Sequence, residues 1–520
     1  MKLGIDFGTT RIVAAAADRG NYPLVAFDSG DGQMREWYPP LVAARGNERV
    51  YGWNAWAVQD HSGTVSRRDW TVVRSLKRYL KDAGPSTLLD FAGSKVTVIE
   101  LVTELLSAFR RQLRQASTLS LDRAEPLEVV IGVPANANSN QRFLTAEAFR
   151  AAGFQVLGML NEPSAASVEF GHREREREGR PRRMLVYDLG GGTFDASLVE
   201  TENDTHTVVA SAGLAEVGGD DFDEILAALA LEAAGRVAER ETLSDAESFH
   251  LLEECRERKE SLHPNTRRIV VDLERVREGW GEVSIGVAAY YERCRPLTER
   301  TVEVVNEILA AHSELPIEML YVTGGGAELP SVGRVLKETF GRIVRRSAYM
   351  RSATAIGLAL RAEGHEERPL RDQFTKNFGV WREADDGRSV VFDVIFPRGA
   401  KLPARGEEPL RRSRLYHPVH NIGHFRYLEC AQLDANHQPE GEITNWDEIR
   451  VAFDPNLHDT EDIAEQPVRR YTPGRDVWIE EEYTCGASGD LKVKIHDKAS
   501  QHTNEYRLGR WSKHRKKGRN

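Results

Sequence analysis

The chain has 520 residues, too many for one hydrophobic core, so roughly two to four domains are expected. Hydrophobic residues make up 40%, which argues against disorder as the default state. The formal net charge of −10 argues against the chain as a whole being a nucleic-acid binder. Cys255, Cys294, Cys430 and Cys485 lie far apart and form no CxxC pair, so they read as neither a disulfide framework nor a zinc site. The N-terminus enters a strand pattern directly. No apolar h-region and no membrane-length apolar stretch is present, so a cytoplasmic, membrane-free protein is expected.

Taken in chain order, the first two-thirds alternate short apolar strands with amphipathic helices. Strands are predicted at Leu3–Phe7, Arg11–Ala16, Glu128–Val133, Met184–Asp188, Ala196–Glu200, Thr207–Ala212 and Met319–Thr323. Apolar spacing at i, i+3, i+4 predicts helices at Val98–Leu113, Arg142–Ala152, Asp221–Ala234, Ala246–Ser261, Pro296–Ala311 and Leu329–Phe340. This alternation implies an α/β layered fold. After about Pro369 the helical period stops. Short runs follow at Gly379–Arg382, Val390–Ile395, Glu448–Phe453, Val477–Tyr483, Leu491–His496 and Thr503–Leu508. Polar turns at Asp386-Gly387, Pro473-Gly474 and Ser488-Gly489-Asp490 separate them, the pattern of a small antiparallel β-sandwich. The expected division is residues 1–368, residues 374–509 and a basic tail, 510–520. The mixed-sign run Arg173–Arg183 reads as a solvated loop, and the tail as a frayed end.

Two glycine hairpins carry the chemistry. In the first, Asp6-Phe7-Gly8-Thr9-Thr10 joins two strands. Gly8 lets backbone N–H groups approach a phosphate, and the Thr9 and Thr10 hydroxyls add donors. Asp6 stands where a carboxylate can hold Mg²⁺ through water. In the second, Asp188-Leu-Gly190-Gly191-Gly192-Thr193-Phe-Asp195 repeats the arrangement with three glycines. One such hairpin is often only a turn. Two at the starts of similar halves suggest a duplicated unit enclosing one phosphate chain. A third element, Gly324-Gly325-Gly326 between a strand and a helix, offers bare backbone to a purine and ribose. Neither GxxxxGK[ST] nor GxGxxG occurs, so P-loop and dinucleotide-binding readings lack support.

At this point the residues match a family. GIDFGTT (Gly4–Thr10), SLKRYL (Ser75–Leu80), VIGVPANANSNQR (Val130–Arg142), LNEPSAAS (Leu160–Ser167), VYDLGGGTFD (Val186–Asp195), GGDDFD (Gly218–Asp223) and VTGGGAELP (Val322–Pro330) occur in one order. The chain resembles the 70-kilodalton heat-shock chaperones of DnaK type from residue 1 to about residue 361. Actin, the hexokinases and the rod-shape filament proteins share the hairpins but normally lack NEPSAA.

The resemblance implies an actin-like ATPase of two ribonuclease-H-like lobes around a nucleotide cleft, followed by a β-sandwich. It implies ATP or ADP with Mg²⁺, and K⁺ as a further candidate ion. Lys77 matches the lysine that orients the γ-phosphate and attacking water, and Glu162 the acid near metal and water. Asp6 and Asp188 match the metal-side carboxylates, Asp195 a companion acid, and Thr9 and Thr193 phosphate-facing hydroxyls. Gly218, Gly219 and Lys259 match the nucleotide-binding set. Pro134 and Arg142 match a switch that relays nucleotide state to the second domain. The resemblance also implies a peptide or protein client, with a nucleotide-exchange factor as a candidate partner.

Several positions depart from the family. Arg256, Glu260 and Glu328 differ from the usual residues around the adenosine, two stacking cations having become acids. Gly158 stands where members that use a J-domain partner often have Arg, so such a partner is not expected. Arg368–Phe374 (RPLRDQF) is not the leucine-rich linker. Tyr483–Leu508 resembles the closing strands of the substrate-binding sandwich, and the chain stops with no room for a helical lid, so a fast, weak peptide grip is expected. His417, His420 and His424 invite a metal reading, but Pro418 and Gly423 break any helix that would align them. Two function classes compete: a chaperone whose ATP state controls a peptide-binding domain, and a low-turnover regulatory or assembly ATPase with a dedicated partner. A sugar or acetate kinase is disfavoured by NEPSAA and by the appended β-domain.

Overall fold

Apolar strands that end in a carboxylate and a glycine turn organise the first part of the computed structural model. The structure describes residues 1–508 apart from 59–69, 82, 85–86, 123, 136, 174–182, 203–204, 215, 365–372, 385–388, 404–405, 459, 461, 471–476 and 487–488. Most of the charge run Arg173–Arg183, the tail, the turns at Asp386 and Pro473, Ser488 of the third turn and most of Arg368–Phe374 lie outside the described residues.

The first lobe holds β1 (Lys2–Phe7), β2 (Ile12–Ala16), α1 (Val98–Gln115), β3 (Glu128–Val133), α2 (Ser139–Ala151) and β4 (Gln155–Asn161). Its sheet runs β4-β3-β1-β2, with β2 antiparallel and the others parallel to β1. After α3 (Glu162–Arg173) come β5 (Arg183–Leu189), β6 (Phe194–Glu202), β7 (Thr205–Leu214), α4 (Gly219–Ala233) and α5 (Asp245–Glu260). Then follow α6 (Val287–Ala311), β8 (Met319–Thr323), α7 (Pro330–Phe340), β9 (Val344–Arg346) and α8 (Ala353–Glu363). The second sheet runs β7-β6-β5-β8-β9, again with one hairpin partner antiparallel to the carboxylate-bearing strand and two parallel neighbours beyond it. The expected duplication is therefore visible in strand order. Each sheet has its own core, around Phe7, Phe109 and Phe149 in one lobe and Tyr187, Phe222 and Tyr290 in the other.

The helices α3 and α8 join the lobes through backbone contact. A Cβ at Gly357 would lie 1.9 Å from the Ala165 carbonyl oxygen, and one at Gly4 would lie 2.1 Å from the Ala359 nitrogen. Only glycine permits either approach.

The last third is two four-stranded antiparallel sheets. One contains β10 (Asn377–Ala384), β11 (Ser389–Phe396), β13 (Ile422–Leu433) and β14 (Pro439–Ala452), in the order β11-β10-β13-β14. The other contains β12 (Leu410–Tyr416), β15 (Ile479–Cys485), β16 (Leu491–Asp497) and β17 (Thr503–Leu508), in the order β12-β15-β16-β17. Phe378, Tyr427 and Trp446 from the first sheet share a core with Ile479, Val493 and Leu508 from the second.

Some elements differ from the sequence expectation. α6 begins at Val287, nine residues before Pro296, which sits inside the helix rather than at its start. β12 and β13 are not anticipated, because Arg and His interrupt their alternation. β14 begins at Pro439, well before the expected Glu448. α8 is also unanticipated, since its alanine-rich face has no polar side to set a period. All four cysteines are free and buried. Among the described residues no helix is long and apolar enough to cross a membrane.

The sandwich interior carries an ion pair. Glu481 is fully buried and accepts from Arg382 Nη1 and Nη2 at 3.1 and 2.7 Å. Tyr483 donates to Glu481 at 2.5 Å, and Arg382 Nε donates to Asp393 at 2.6 Å. Arg414 makes a second, two-toothed contact to Asp393 at 2.7 and 2.9 Å. Removing one member strands a buried charge. Arg382→Ala is therefore expected to cost about 3–5 kcal/mol, whereas Arg382→Met combined with Glu481→Met should recover most of that loss. Urea unfolding of each variant, followed by tryptophan fluorescence, measures both.

Candidate functional site

The two carboxylate-bearing strands β1 and β5 end at the same cleft. Asp6 is the penultimate residue of β1, and Asp188 lies opposite Asp195 in the β5–β6 register. Asp6, Asp188, Asp195, Glu162 and Lys77 all line the cleft. So do Gly8, Thr9, Thr10, Thr193, Gly190 and Gly191 from the hairpins. Gly219, Lys259 and the three glycines Gly324–Gly326 complete the wall. Gly192 and Gly218 are not on this wall. Gly218 packs against the Gly191–Gly192 backbone, where an added Cβ would meet Gly192 C at 2.6 Å. Gly192 faces Thr9 and Arg78, and Arg78 donates to its carbonyl. These two glycines shape the hairpin from behind.

Lys77 reaches the cleft from the short helical turn Leu76–Tyr79. The turn is set by Ser75, which adopts a left-handed conformation (φ 56°). That conformation costs a non-glycine residue on the order of 1 kcal/mol. Nothing in the sequence marks Ser75 for it. The Lys77 ammonium lies 2.6 Å from Glu162 Oε1, at the start of α3. Burial works against the ammonium, but Glu162, Asp6 and Asp195 outweigh it and hold its pKa above the ordinary value.

The carboxylates crowd one another. Burial, and then the charge of Glu162, raise Asp6 and Asp195 to about 7, with Lys77 opposing. Burial, Glu162, Asp6 and Asp195 raise Asp188 well above its ordinary range. Asp195 Oδ1 is buried with no hydrogen-bond partner among the described residues, while its Oδ2 accepts a 3.4 Å bond from Thr193. A cluster of this kind asks for a cation. Among the described residues no three acidic, histidine or cysteine groups converge on one ion position. The set suits Mg²⁺, which keeps its waters and leans on one or two carboxylates plus phosphate oxygens.

Lys259 is engaged within the protein. Its ammonium lies 2.7 Å from Asp223 Oδ1 and donates to the Gly219 carbonyl at 2.6 Å. It thereby anchors the start of α4, which forms one wall. Beyond it, Glu260 accepts two 2.7 Å bonds from Arg11 and one of 2.9 Å from Arg351. Sequence reading singles out Glu260 but neither arginine. Arg351 lies in no motif, and Arg11 directly follows the first hairpin.

The expected switch residues sit at the junction with the sandwich. Arg142 is 4% exposed and donates to Asn161 at 2.9 Å. Burial lowers its pKa to about 10, and Glu429 of β13 offsets part of that shift. Ala137 caps the Pro134 turn, and Thr375 donates to the Ala137 carbonyl at 3.1 Å. Arg507 lies over the Phe143 ring at 5.7 Å. The three histidines are apart from this site. His417 packs on Trp478, His424 is 3.1 Å from Glu448, and His420 is 3.7 Å from Glu383.

Comparison with known proteins identifies the family. The family model described as Hsp70 protein matches residues 2–372. A heat shock 70 kDa protein of Emericella nidulans is 28% identical over 69% of this chain and 58% of its own length. A chaperone protein HscA homolog of Variovorax paradoxus is 30% identical over 77% of this chain and 64% of its own. Chaperone protein HscA of Serratia proteamaculans is 32% identical, covering 78% and 65% respectively. The match thus spans somewhat less than two-thirds of the length of these curated relatives. On the extent of the family match, the chain belongs to the Hsp70 family.

Proposed function

We propose that the chain is a Mg²⁺-dependent ATPase of chaperone type, whose nucleotide state controls protein binding by the β-sandwich. The observation that carries this reading is the convergence of both glycine hairpins on the Lys77–Glu162 pair above buried carboxylates. Phosphoryl transfer to water needs positioned charge more than covalent chemistry. When bound, Mg²⁺ would supply charge neutralisation on the phosphate oxygens, with Asp6 and Asp188 beside it. The chain does the rest. Backbone N–H groups of the hairpins and the hydroxyls of Thr9, Thr10 and Thr193 face the phosphates. Glu162 fixes the Lys77 ammonium for the terminal phosphoryl group. The free oxygen of Asp195 can accept a proton from the attacking water.

The two parts, residues 1–368 and 374–509, would communicate through Pro134 and Arg142. Arg142 is held on one side by Asn161 and on the other faces Glu429 of the sandwich. A shift of the first lobe on nucleotide binding would therefore reach the sandwich core by a buried charge. K⁺, an exchange factor and a cytoplasmic setting belong to the same proposal by family resemblance. A dedicated protein partner is the second reading. It is favoured by Asp393 and Arg414, which link β11 and β12 as a polar, partly exposed flank. Titrating a fluorescent apolar peptide with and without ATP separates the two. Nucleotide-dependent peptide binding supports the chaperone, and no binding favours the partner.

Lys77→Ala should lower hydrolysis about 100-fold or more while leaving nucleotide bound. Steady-state phosphate release alongside calorimetric binding checks it, and surviving turnover would remove Lys77 from the mechanism. A second expectation concerns pH. Each carboxyl raised from 3.8 to about 7 stabilises nothing below pH 4 and destabilises the metal-free fold increasingly as pH rises toward 7. Asp188, held well above its ordinary range by burial and by Glu162, Asp6 and Asp195, opposes the metal-free fold in the same direction, so Asp188→Asn should raise the melting temperature of the metal-free protein at pH 8 but not at pH 4, and should abolish the stabilisation that Mg²⁺ with nucleotide gives. Differential scanning calorimetry at both pH values measures this.

A further inference from the structure

A ligand whose phosphates lie over the hairpins has one direction in which to send a sugar and base. It runs along the bare backbone of Gly324–Gly326 toward Lys259 and Glu260. That slot already has an occupant. The Arg351 side chain crosses Gly325, and a Cβ built on Gly325 would lie 3.7 Å from Arg351 Cγ and 3.8 Å from Nε. Its guanidinium spans two carboxylates. Nε–H donates to Glu328 at 2.7 Å, and Nη1–H donates to Glu260 at 2.9 Å.

The surrounding charges hold this bridge in place. Glu260 also accepts from Arg11 at 2.7 Å and from Arg256 at 3.4 Å. Arg11 lies 4.9 Å over the Trp37 ring, and Arg256 lies 5.4 Å over that of Trp56. Burial opposes the Glu260 carboxylate, but Arg11, Arg256 and Arg351 overrule it and pull its pKa to about 2. The Glu260 carboxylate is thus ionised at neutral pH and satisfied within the protein. A planar guanidinium between two carboxylates has the flat shape of a base and stronger contacts than a neutral ring can offer. Inserting a base would take from Glu328 the hydrogen bonds it accepts from Arg351. On its far side, Arg351 lines a neighbouring cavity of about 760 Å³ together with Glu328. Without the arginine side chain the slot would open into that space.

We propose that Arg351 is a built-in occupant of the base slot, so that the site selects a magnesium-bound oligophosphate and gains little from the base. The proposal rests on the phosphate-site reading above and adds its specificity. ATP, GTP and inorganic tripolyphosphate should therefore bind alike, and clearing the slot should make the base count.

Calorimetric titration of the full chain with each of the three, in Mg²⁺, tests this. The expected dissociation constants for the natural chain fall within about fivefold of one another, a span of about 1 kcal/mol. The double variant Arg351→Ala/Glu328→Gln, which leaves no unpaired charge at position 328, should bind ATP about tenfold or more tighter than tripolyphosphate. A natural chain that prefers ATP over tripolyphosphate by more than about fivefold overturns the proposal while leaving the ATPase reading intact. A folded variant with an unchanged ratio overturns it too. If none of the three binds, the phosphate-site reading fails and the proposal falls with it.

Discussion

Mutual repulsion among four carboxylates packed beside Lys77 is the constraint around which the two-lobed part is arranged. Asp6, Glu162, Asp188 and Asp195 come from β1, α3, β5 and β6, elements of both lobes. In a low-dielectric cleft such charges oppose folding unless a cation joins them. The fold absorbs this cost by making the frame stiff. Two separate cores fix the two sheets, and α3 and α8 meet at Gly357 with no side chain between them. The same logic explains Ser75, whose left-handed backbone is tolerated because it aims Lys77 into the cleft.

Much of this is legible in the sequence. Strands 128–133 and 319–323 are read to the residue, and every residue assigned to catalysis or metal reaches the cleft. The reason is physical. Buried strands have short apolar runs bounded by glycine and carboxylate, and that punctuation survives without tertiary information. What is not legible depends on contacts distant in sequence. Pro296 looks like a helix start because proline favours that position, yet packing of Val287, Tyr290 and Cys294 carries the helix through it. β12 and β13 are hidden because Arg and His interrupt their alternation, and cross-strand contacts such as Arg411–Glu482 and His424–Glu448 cannot be seen in a single strand. Gly192 and Gly218 read as ligand-facing, but close backbone packing puts them behind the wall. Arg351 is invisible for the opposite reason. Its partners Glu260 and Glu328 lie 91 and 23 residues away, and only the folded chain brings them together.

The same residues that look like departures at the adenosine side form a closed circuit in the structure. Glu260 and Glu328 supply acids, and Arg11 and Arg351 supply cations from elsewhere in the chain. The circuit also joins the lobes, since Arg11 directly follows the first hairpin and Glu260 ends α5. The phosphate end and the opposite end of one cleft therefore follow different electrostatic rules. One holds excess negative charge that awaits a cation, and the other is internally neutralised.

The Arg382–Glu481 pair has a consequence for how the sandwich chooses its strand pairing. Arg382 lies on β10 and Glu481 on β15, in opposite sheets, so their contact fixes how one sheet lies over the other. Side chains alternate faces along a strand, so a slip of one residue would turn either group outward and leave its partner buried and unpaired. An all-apolar interior would tolerate such slips at small cost. Here the interior charge makes misregistered pairings expensive, which singles out one arrangement of the two sheets among many with similar hydrophobic burial.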